Sequence, residues 1–352
     1  MQWSINTHFR RNGYHVVGTG KIYHGDQDQW GEWDEYAKPH QSDLNPGKGE
    51  LPGAGGIRFA PVDEDDEAMG DYAIVSYCIE QMGRKHDKPL FLACGLHKPH
   101  MAWNVPRKYY DKFPLESIEL PKVLESDLND IPISGRNMAR PEGDHAAMLK
   151  SGRWKNAVQG YLAAGAFCDA MIGRLMKGFD ESPMKENTII VFWGDHGWHL
   201  GEKLHWRKFA LWEEATRAPL FFAGAGIGSG NRTCDRTVDF MSIYPTLCDL
   251  TGLPIPEHNE GVSILPLLQN SSGEWGRPAI TTHGKENHAV RSERWRYIRY
   301  EDGGEELYDH DTDPMEWTNL AGNEKYASVK ADLGKWFPKK NVEEAGKRGR
   351  RQ

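Results

Sequence analysis

Amphipathic helical patterns alternate along the chain with short apolar runs that end in polar, glycine-containing loops. Apolar side chains recur at helical spacing over residues 66–84 and 155–179, which predicts two long helices. Strands are predicted over residues 14–17 and 90–94 and in the apolar runs NTIIVFWG and APLFFAG. Because long helices separate these strands, the pattern predicts a mostly parallel sheet with helices on both faces.

The C-terminal part of the chain has a different pattern. AITTHGKENHAVRSERWRYIRYEDGGEELYDH alternates aromatic or apolar residues with charged ones and contains a DGG turn. This alternation predicts a small antiparallel sheet, which a terminal amphipathic helix should follow. We therefore predict a large α/β domain over residues 1–272 and a small subdomain over residues 273–352. Residues 26–60 are polar and rich in glycine and proline, and they are expected to form a long surface insertion.

Composition limits the classes of function without choosing one. The 352 residues are 38% hydrophobic and 27% charged, with a formal net charge of −8. This negative charge, with no basic stripe before the terminal KRGRRQ, argues against nucleic-acid binding. No apolar run reaches the ~18 residues that a membrane helix needs, so no membrane partner is expected. The five cysteines include no CxxC pair, which argues against a zinc knuckle or a redox dithiol.

Polar side chains follow three of the predicted strands. The residues concerned are Lys21 and His24, then His97 and His100, then Asp195 and His196. In open α/β sheets, ligands collect in the loops beyond the carboxyl ends of the strands. These loops are therefore expected to contribute to one shared site.

Asp195 and His196 suit a divalent metal, because a carboxylate and an imidazole are common ligands. The alternative is a structural role, with Asp195 capping the next turn and His196 making a surface hydrogen bond. A further alternative is one zinc ion bound by His196, His199, Glu202 and His205. That alternative is weakened because Gly197 and Gly201 disfavour the helix that would hold these ligands on one face, and the HExxH order is absent.

Several stretches resemble the sulfatases, especially the iduronate-2-sulfatase-like branch. GDHGWHLGEKLHWRKFALWEEATRAPL resembles the metal-and-lysine segment of that family, and GYHVVGTGKIYHG resembles its Gly-Lys-x-x-His loop. FLACGLHKPHMAWNVPRKYYDKF is similar to the Lys-Pro-His loop, and RSERWRYIRYEDGGEELYDHDTDPMEWTNLA to the C-terminal subdomain. The resemblance covers nearly the whole chain in the family's order. It implies the alkaline-phosphatase-like fold, a mostly parallel sheet sandwiched by helices, with a small C-terminal antiparallel subdomain.

The resemblance also implies a role for each matching residue. Asp195 and His196 would be metal ligands, normally for Ca²⁺. Lys21 would hold the nucleophile and a sulfate oxygen, and His24 would take a proton from the nucleophile's second hydroxyl. His100 and Lys208 would contact the sulfate ester and neutralise charge on the leaving oxygen. The implied partner is a sulfated carbohydrate. A periplasmic, extracellular or lysosome-like location would follow if the full-length protein carries a signal peptide.

The sequence departs from the family at its nucleophile. Sulfatases make formylglycine from the Cys or Ser that opens a C/S-x-P-x-R motif, and no cysteine or serine of this sequence opens one. The family's paired aspartates, which complete the metal site, are also absent. Both features precede the Lys-x-x-His loop in the family, so we expect this chain to be a sulfatase without its N-terminal third, inactive and poorly soluble as it stands. The alternatives are a non-catalytic remnant that binds anionic glycans and a phosphodiesterase or phosphonate hydrolase of the same superfamily.

Overall fold

The structure is a computed structural model that describes residues 3–24, 29–38, 43–228 and 232–342. The chain divides into two compact units, one of residues 1–120 and 146–188 and the other of residues 121–145 and 189–352. The predicted domain boundary after residue 272 lies within the second unit and stays a prediction.

The first unit combines parallel strands with helices. Its strands are β1 (His15–Gly20), β2 (Glu35–Ala37), β3 (Phe59–Val62), β4 (Leu90–Gly95) and β5 (Trp103–Pro106). Its helices are α1 (Ile5–Arg11), α2 (Gly70–Gly83), α3 (Arg107–Tyr110), α5 (Ala146–Ser151) and α6 (Trp154–Asp180), with α4 belonging to the other unit. The strands pair in parallel in the orders β2-β1-β4 and β3-β5. The helices and strands predicted within residues 14–17, 66–84, 90–94 and 155–179 are confirmed, whereas β2 and β3 lie in the segment that was predicted to be an insertion.

Strand β1 is buried on both faces, as a central strand of a parallel sheet must be. The consecutive side chains of Val16 and Val17 are both fully buried, although they point to opposite faces. The backbone of Gly18 lies against the ring of Trp33, whose nearest carbon would be 2.6 Å from an added Cβ. A larger residue there would displace Trp33, so the glycine in HVVGTG is required by packing.

Helix α6 carries a face of small residues toward β3 and α3. Its buried residues recur at helical spacing and include Ala157, Gly160, Ala163 and Phe167. An added Cβ on Gly160 would lie 2.8 Å from the Cβ of Phe59 and 3.0 Å from the Oη of Tyr110. The close approach of the helix to the strand therefore depends on the missing side chain at that position.

The second unit contains an antiparallel sheet and several short elements. Its strands are β6 (Ile189–Trp193), β7 (His199–Leu200), β8 (Trp206–Arg207), β9 (Leu220–Gly224), β10 (Ala279–Thr282), β11 (His288–Arg291), β12 (Trp295–Arg299) and β13 (Glu305–Asp309). Its helices are α4 (Ile133–Ala139), α7 (Glu213–Thr216), α8 (Ile243–Thr251), α9 (Leu265–Gln269) and α10 (Ala327–Gly334). The sheet β10-β11-β12-β13 is antiparallel throughout, which confirms the pattern predicted for the C-terminal part.

Strands β6 and β9 are an antiparallel pair. The prediction was a mostly parallel sheet with no direction assigned to each strand, and here Ile189 pairs with Gly224 and Trp193 with Leu220 in an antiparallel register. The chain turns back after β6, and the N–H of Gly194 donates to the carbonyl of Pro219. The path of the chain between β6 and β9 sets the direction in which the two strands pair. The pattern of residue types within a strand does not reveal that path.

Within the described residues, none of the helices combines the length and the apolar character that a membrane span requires.

Replacing Gly160 by alanine is expected to lower the free energy of unfolding. Overpacking against Phe59 and Tyr110 costs about 1–3 kcal/mol, which outweighs the gain in helix propensity. Gly165 is the matched control on the same helix, because an added Cβ there meets nothing within 4 Å. Gly165→Ala should raise the stability by about 0.5–1 kcal/mol. Urea denaturation followed by tryptophan fluorescence measures both variants, and equal stabilities would contradict the packing described for α6.

Candidate functional site

Lys21 follows β1 at the carboxyl edge of the parallel sheet. Gly20 pairs with Gly95 at the ends of β1 and β4, and the N–H of Lys21 donates to the carbonyl of Gly95 at 2.7 Å. A Cβ on Gly95 would collide with the backbone of Lys21, and Gly20 has a φ of 83°. Two glycines therefore allow the loops after β1 and β4 to lie side by side. His24 is exposed in the same loop.

The loop after β4 is held by a buried carboxylate that the sequence did not reveal. Asp71 lies at the start of α2 and is 3% exposed. Its oxygens accept from the backbone N–H groups of His97 at 2.8 Å and Lys98 at 2.9 Å. Burial raises the pKa of Asp71, while these two hydrogen bonds act in the opposite direction. Asp71 thus fixes the backbone from which His97 and His100 project.

The two histidines of this loop lie together. Their ring centroids are 5.3 Å apart, and Nδ1 of His100 lies 2.7 Å from the carbonyl oxygen of Met101. When the imidazole of His100 is neutral, that hydrogen bond places its proton on Nδ1 and the lone pair on Nε2. Burial lowers the pKa of His97, and the nearby charges of Lys98 and Lys21 lower it further. The loop that carries Lys21 and the loop that carries His97 follow neighbouring strands of one sheet.

Lys98 has a structural role in this loop. The residue is 6% exposed, and its ammonium group donates to the carbonyl of Ala102 and lies 3.3 Å from Oδ1 of Asp43. Burial lowers the pKa of Lys98, against the attraction of Asp43. An ammonium held in this way fixes the chain and is not presented to a ligand.

In the second unit, Asp195 and His196 directly follow β6. Nδ1 of His196 lies 2.7 Å from the carbonyl oxygen of Gly197, and its Nε2 lies 3.6 Å from Oδ1 of Asp195. A carbonyl partner on Nδ1 orients the ring and leaves Nε2 as the ligand nitrogen, as at many metal sites. The spacing of the two atoms allows both to bind one cation, so these residues fit a metal. Gly197 makes the turn possible, because a Cβ there would collide with the carbonyl of Glu214.

Asp195 and His196 do not make a complete calcium site by themselves. Ca²⁺ takes about six to eight oxygen ligands, and these two residues supply one nitrogen and a carboxylate. Among the described residues, Asp195 and His196 belong to no group of three or more His, Cys, Asp or Glu ligand atoms that lie within 4.8 Å of one another.

A group with ligand spacing does occur elsewhere, at Glu213, His310 and Glu316. Arg296 forms ion pairs with the carboxylates of Glu213 and Glu316, and Nε of Arg291 lies 3.1 Å from Oε2 of Glu213. The negative charge that a metal would need is already neutralised by guanidinium groups, so this cluster is a buried ion-pair network.

His199 and His205 are buried in the segment that follows His196. Their ring centroids are 5.0 Å apart, and each Nδ1 lies within hydrogen-bond distance of a backbone carbonyl, at 3.1 Å from Glu202 and 2.8 Å from Ala139. The alternative of one zinc bound by His196, His199, Glu202 and His205 is wrong for the described structure, because no three of their ligand atoms lie within 4.8 Å of one another. Burial lowers the pKa of His205 to about 4 and that of His199 well below its ordinary value.

Lys208 follows β8 next to a strained residue. Arg207 has a φ of 80°, and its Nε donates to Oδ2 of Asp144 at 2.6 Å. Nζ of Lys208 lies 5.7 Å from the centre of the ring of Phe209, which is 54% exposed. Lys208 is thus presented next to an open aromatic face.

The predicted site residues are divided between the two units. Lys21, His24 and His100 belong to the first unit, and Asp195, His196 and Lys208 to the second. Their convergence on a single shared site stays a prediction.

Comparisons with known proteins agree with the resemblance found in the sequence. The sulfatase family profile matches residues 2–253, and a profile described as N-sulphoglucosamine sulphohydrolase, C-terminal, matches residues 194–343. A sulfatase of Formosa agariphila is 40% identical over 95% of this chain and 69% of its own length. The iduronate 2-sulfatase of Mus musculus is 26% identical over 72% of this chain and 55% of its own length. A Delta 4,5-hexuronate-2-O-sulfatase of Bacteroides thetaiotaomicron is 30% identical over 53% of this chain and 43% of its own length. The chain thus spans between about two fifths and two thirds of the length of these relatives.

Solved structures share the fold at lower identity. The phosphonate monoester hydrolase of Agrobacterium radiobacter has a TM-score of 0.81 and 19% identity, covering 95% of this chain and 79% of its own. A protein solved in complex with its substrate D-glucosamine-2-N,6-O-disulfate has a TM-score of 0.67 and 18% identity, covering 95% of this chain and 80% of its own. The predicted α/β fold class is confirmed by these likenesses.

Calcium binding to residues 1–352 is expected to be weaker than roughly 10 μM, because Asp195 and His196 supply few of the ligands that the ion needs. Titration calorimetry measures the affinity, and Asp195→Asn should remove what binding there is. Asp249→Asn is the control, since Asp249 is an exposed carboxylate of α8 and is not among the predicted ligands. Saturable binding tighter than this limit in the unaltered chain would contradict the expectation.

Acid is expected to destabilise the second unit through its buried histidines. His205 stays neutral when folded but titrates near pH 6.5 when unfolded, so the unfolded state binds more protons below that pH. Stability should therefore fall as the pH is lowered from 6.5 toward 4, by up to roughly 1.4 kcal/mol per pH unit for one proton. His205→Gln should reduce this slope in pH-dependent urea denaturation. His258→Gln, on a histidine that is only half-buried, is the control. An unchanged slope in His205→Gln would contradict the assignment.

Proposed function

The chain belongs to the sulfatase family, and on that premise we propose that it serves the hydrolysis of a sulfuric ester of a sugar. The observation that carries the proposal is where the candidate side chains lie in the loops of each unit. Lys21 and His100 follow neighbouring strands of one sheet, and Lys208 follows Asp195 and His196 in one continuous segment. These residues match, in order, the part of the family's site that lies after its nucleophile motif and its paired aspartates.

The proposed roles follow from charge. Hydrolysis of a sulfate ester builds negative charge on the sulfate and on the leaving oxygen, which fixed cations stabilise. Lys21 would hold a sulfate oxygen, and His100 and Lys208 would contact the ester and its leaving oxygen. His24, exposed in the loop after β1, would accept a proton during sulfate release.

Asp195 and His196 would hold the metal, with Oδ1 of the first and Nε2 of the second as ligand atoms. When bound, calcium would polarise a sulfate oxygen as a Lewis acid. The carbonyl of Gly197 keeps Nε2 of His196 unprotonated while the ring is neutral, so this residue can bind the cation without first losing a proton.

A sulfated sugar is the proposed substrate class. The support comes from a similar hexuronate-2-O-sulfatase, 30% identical over 53% of this chain, while the protein solved with a disulfated glucosamine, at 18% identity, shares the fold. A phosphonate monoester hydrolase is the alternative, because one such enzyme has the TM-score of 0.81. At 19% identity this likeness concerns the fold alone, whereas the 40% identity to a sulfatase extends over most of the chain.

One experiment with two readouts tests the proposal on residues 1–352. The first readout is turnover of an aryl sulfate, which should be negligible because no residue of the sequence opens the C/S-x-P-x-R motif. The second is calorimetric binding of galactose 4-sulfate, which Lys208→Ala should weaken at least tenfold. Lys335→Ala is the control, as that side chain is exposed and pairs with Asp332.

Three outcomes would contradict this account. Turnover that Lys208→Ala abolishes would show that another nucleophile acts. Binding of galactose 4-sulfate that is indifferent to Lys208 would remove its proposed role. Tighter Lys208-dependent binding of phenylphosphonate than of the sulfated sugar would favour the phosphonate hydrolase.

A further inference from the structure

A large open cleft lies within the second unit, next to Lys208. It is formed by four segments, within residues 134–144, 205–209, 283–287 and 300–302, and has a volume of about 1070 Å³. Arg207 and Phe209, which flank Lys208 in the chain, both line it. This volume is at the upper end of the ~300–1,000 Å³ that ligand sites usually have, and it exceeds what one sugar ring would fill.

The backbone around the cleft adopts conformations that side chains other than glycine rarely take. Arg140 and Arg207 line the cleft with φ values of 53° and 80°, and Glu286, with a φ of 62°, precedes the lining residue Asn287. Such strain persists only where the surrounding structure holds it, and it is frequent at ligand sites. Here the ion pair of Arg207 with Asp144 is one of the contacts that hold it.

The lining offers an aromatic face and uncharged polar groups. Phe209 is 54% exposed, and its ring centroid lies 5.8 Å from that of His283, which also lines the cleft. An exposed ring of this kind suits the apolar C–H face of a pyranose. The amide of Asn137, also in the lining, suits the hydroxyl groups of a sugar, whereas the amide of Asn287 is already bound to the carbonyl of Lys285 and the N–H of Glu301.

The charges of the lining disfavour a densely anionic ligand. Its carboxylates, from Asp144, Glu301 and Asp302, outnumber its guanidinium groups, from Arg140 and Arg207. The ion pair of Arg207 with Asp144 neutralises one of each, which leaves two carboxylates and one guanidinium group. A chain with sulfate on every ring would bring like charges together in the cleft, which costs affinity.

We propose that this cleft binds the uncharged sugar rings that adjoin the sulfated ring of an oligosaccharide, with Phe209 stacking on one of them. The inference rests on the proposed function, because it assumes that Lys208 holds the sulfate ester at the mouth of the cleft. It specifies the substrate class: a sparsely sulfated oligosaccharide, not a sulfated monosaccharide, a small alkyl sulfate or a heparin-like chain.

The test compares three probes by calorimetry with residues 1–352. They are a galactan tetrasaccharide with one sulfate per disaccharide (from κ-carrageenan), galactose 4-sulfate, and a heparin tetrasaccharide. The galactan tetrasaccharide should bind at least ten times more tightly than either of the others. Phe209→Ala should remove this advantage and leave the affinity for galactose 4-sulfate unchanged. Phe240→Ala, on a residue 37% exposed that does not line the cleft, should change neither affinity.

A second variant tests the charge argument independently of the aromatic ring. Glu301 is exposed, so Glu301→Lys should fold normally and raise the affinity for the heparin tetrasaccharide at least threefold. Heparin binding as tight as that of the galactan in the unaltered chain would overturn the proposal. So would a tetrasaccharide that binds no tighter than galactose 4-sulfate, or no binding of the galactan. If galactose 4-sulfate still binds in a Lys208-dependent way, the inference about the cleft fails alone; if it does not, the proposed function fails.

Discussion

The position of the segment from Asp195 to Lys208 depends on one buried ion pair. Lys203 is 3% exposed, and its Nζ lies 2.8 Å from Oδ1 of Asp127, which is 1% exposed. The same ammonium donates to the carbonyl of Glu316 and lies 3.3 Å from the Oη of Tyr308. Removing one member of such a pair leaves an uncompensated buried charge, which costs about 3–5 kcal/mol. Lys203 therefore fixes the middle of the segment to the antiparallel sheet, although its own backbone has a φ of 55°.

The ion pair is part of a larger network beneath β12 and β13. Arg296 is fully buried and donates to the carboxylates of Glu316 and Glu213 and to the carbonyl of Leu211. Burial opposes ionisation of Glu316, but Arg296 and His310 hold its pKa at about 2, so it stays charged. Arg296 thus ties the start of α7 and the residues just before it to the antiparallel sheet.

The sequence predicted the elements that depend on local pattern and missed those that depend on distant partners. Strands β1 and β4 and helix α6 follow from apolar spacing alone, and the residues after β1 and β4 were rightly placed at one sheet edge. The short strand β3 and the antiparallel pairing of β6 with β9 are set by contacts far along the chain, so no local signal reveals them. Local pattern therefore reveals a strand or a long helix more readily than it reveals which strands pair and in which direction.

The same limit applies to the charged residues that hold the candidate site. Asp71, Lys203 and Glu316 look like ordinary surface residues in the sequence, yet each is nearly inaccessible. Asp71 binds the loop of His97 and His100, and the carbonyl of Glu316 accepts from Lys203, which lies in the segment between Asp195 and Lys208. A lysine is rarely buried unless it is paired, and its partner here is Asp127, far away in the chain. The stretch GDHGWHLGEKLHWRKF thus contains both buried and solvent-accessible charged residues. Asp195, His196 and Lys208, for which functional roles are proposed, lie toward the ends of the stretch, while the buried Lys203 in the middle ties it to Asp127. Charge-bearing residues near a site can therefore be told apart only once their burial is known.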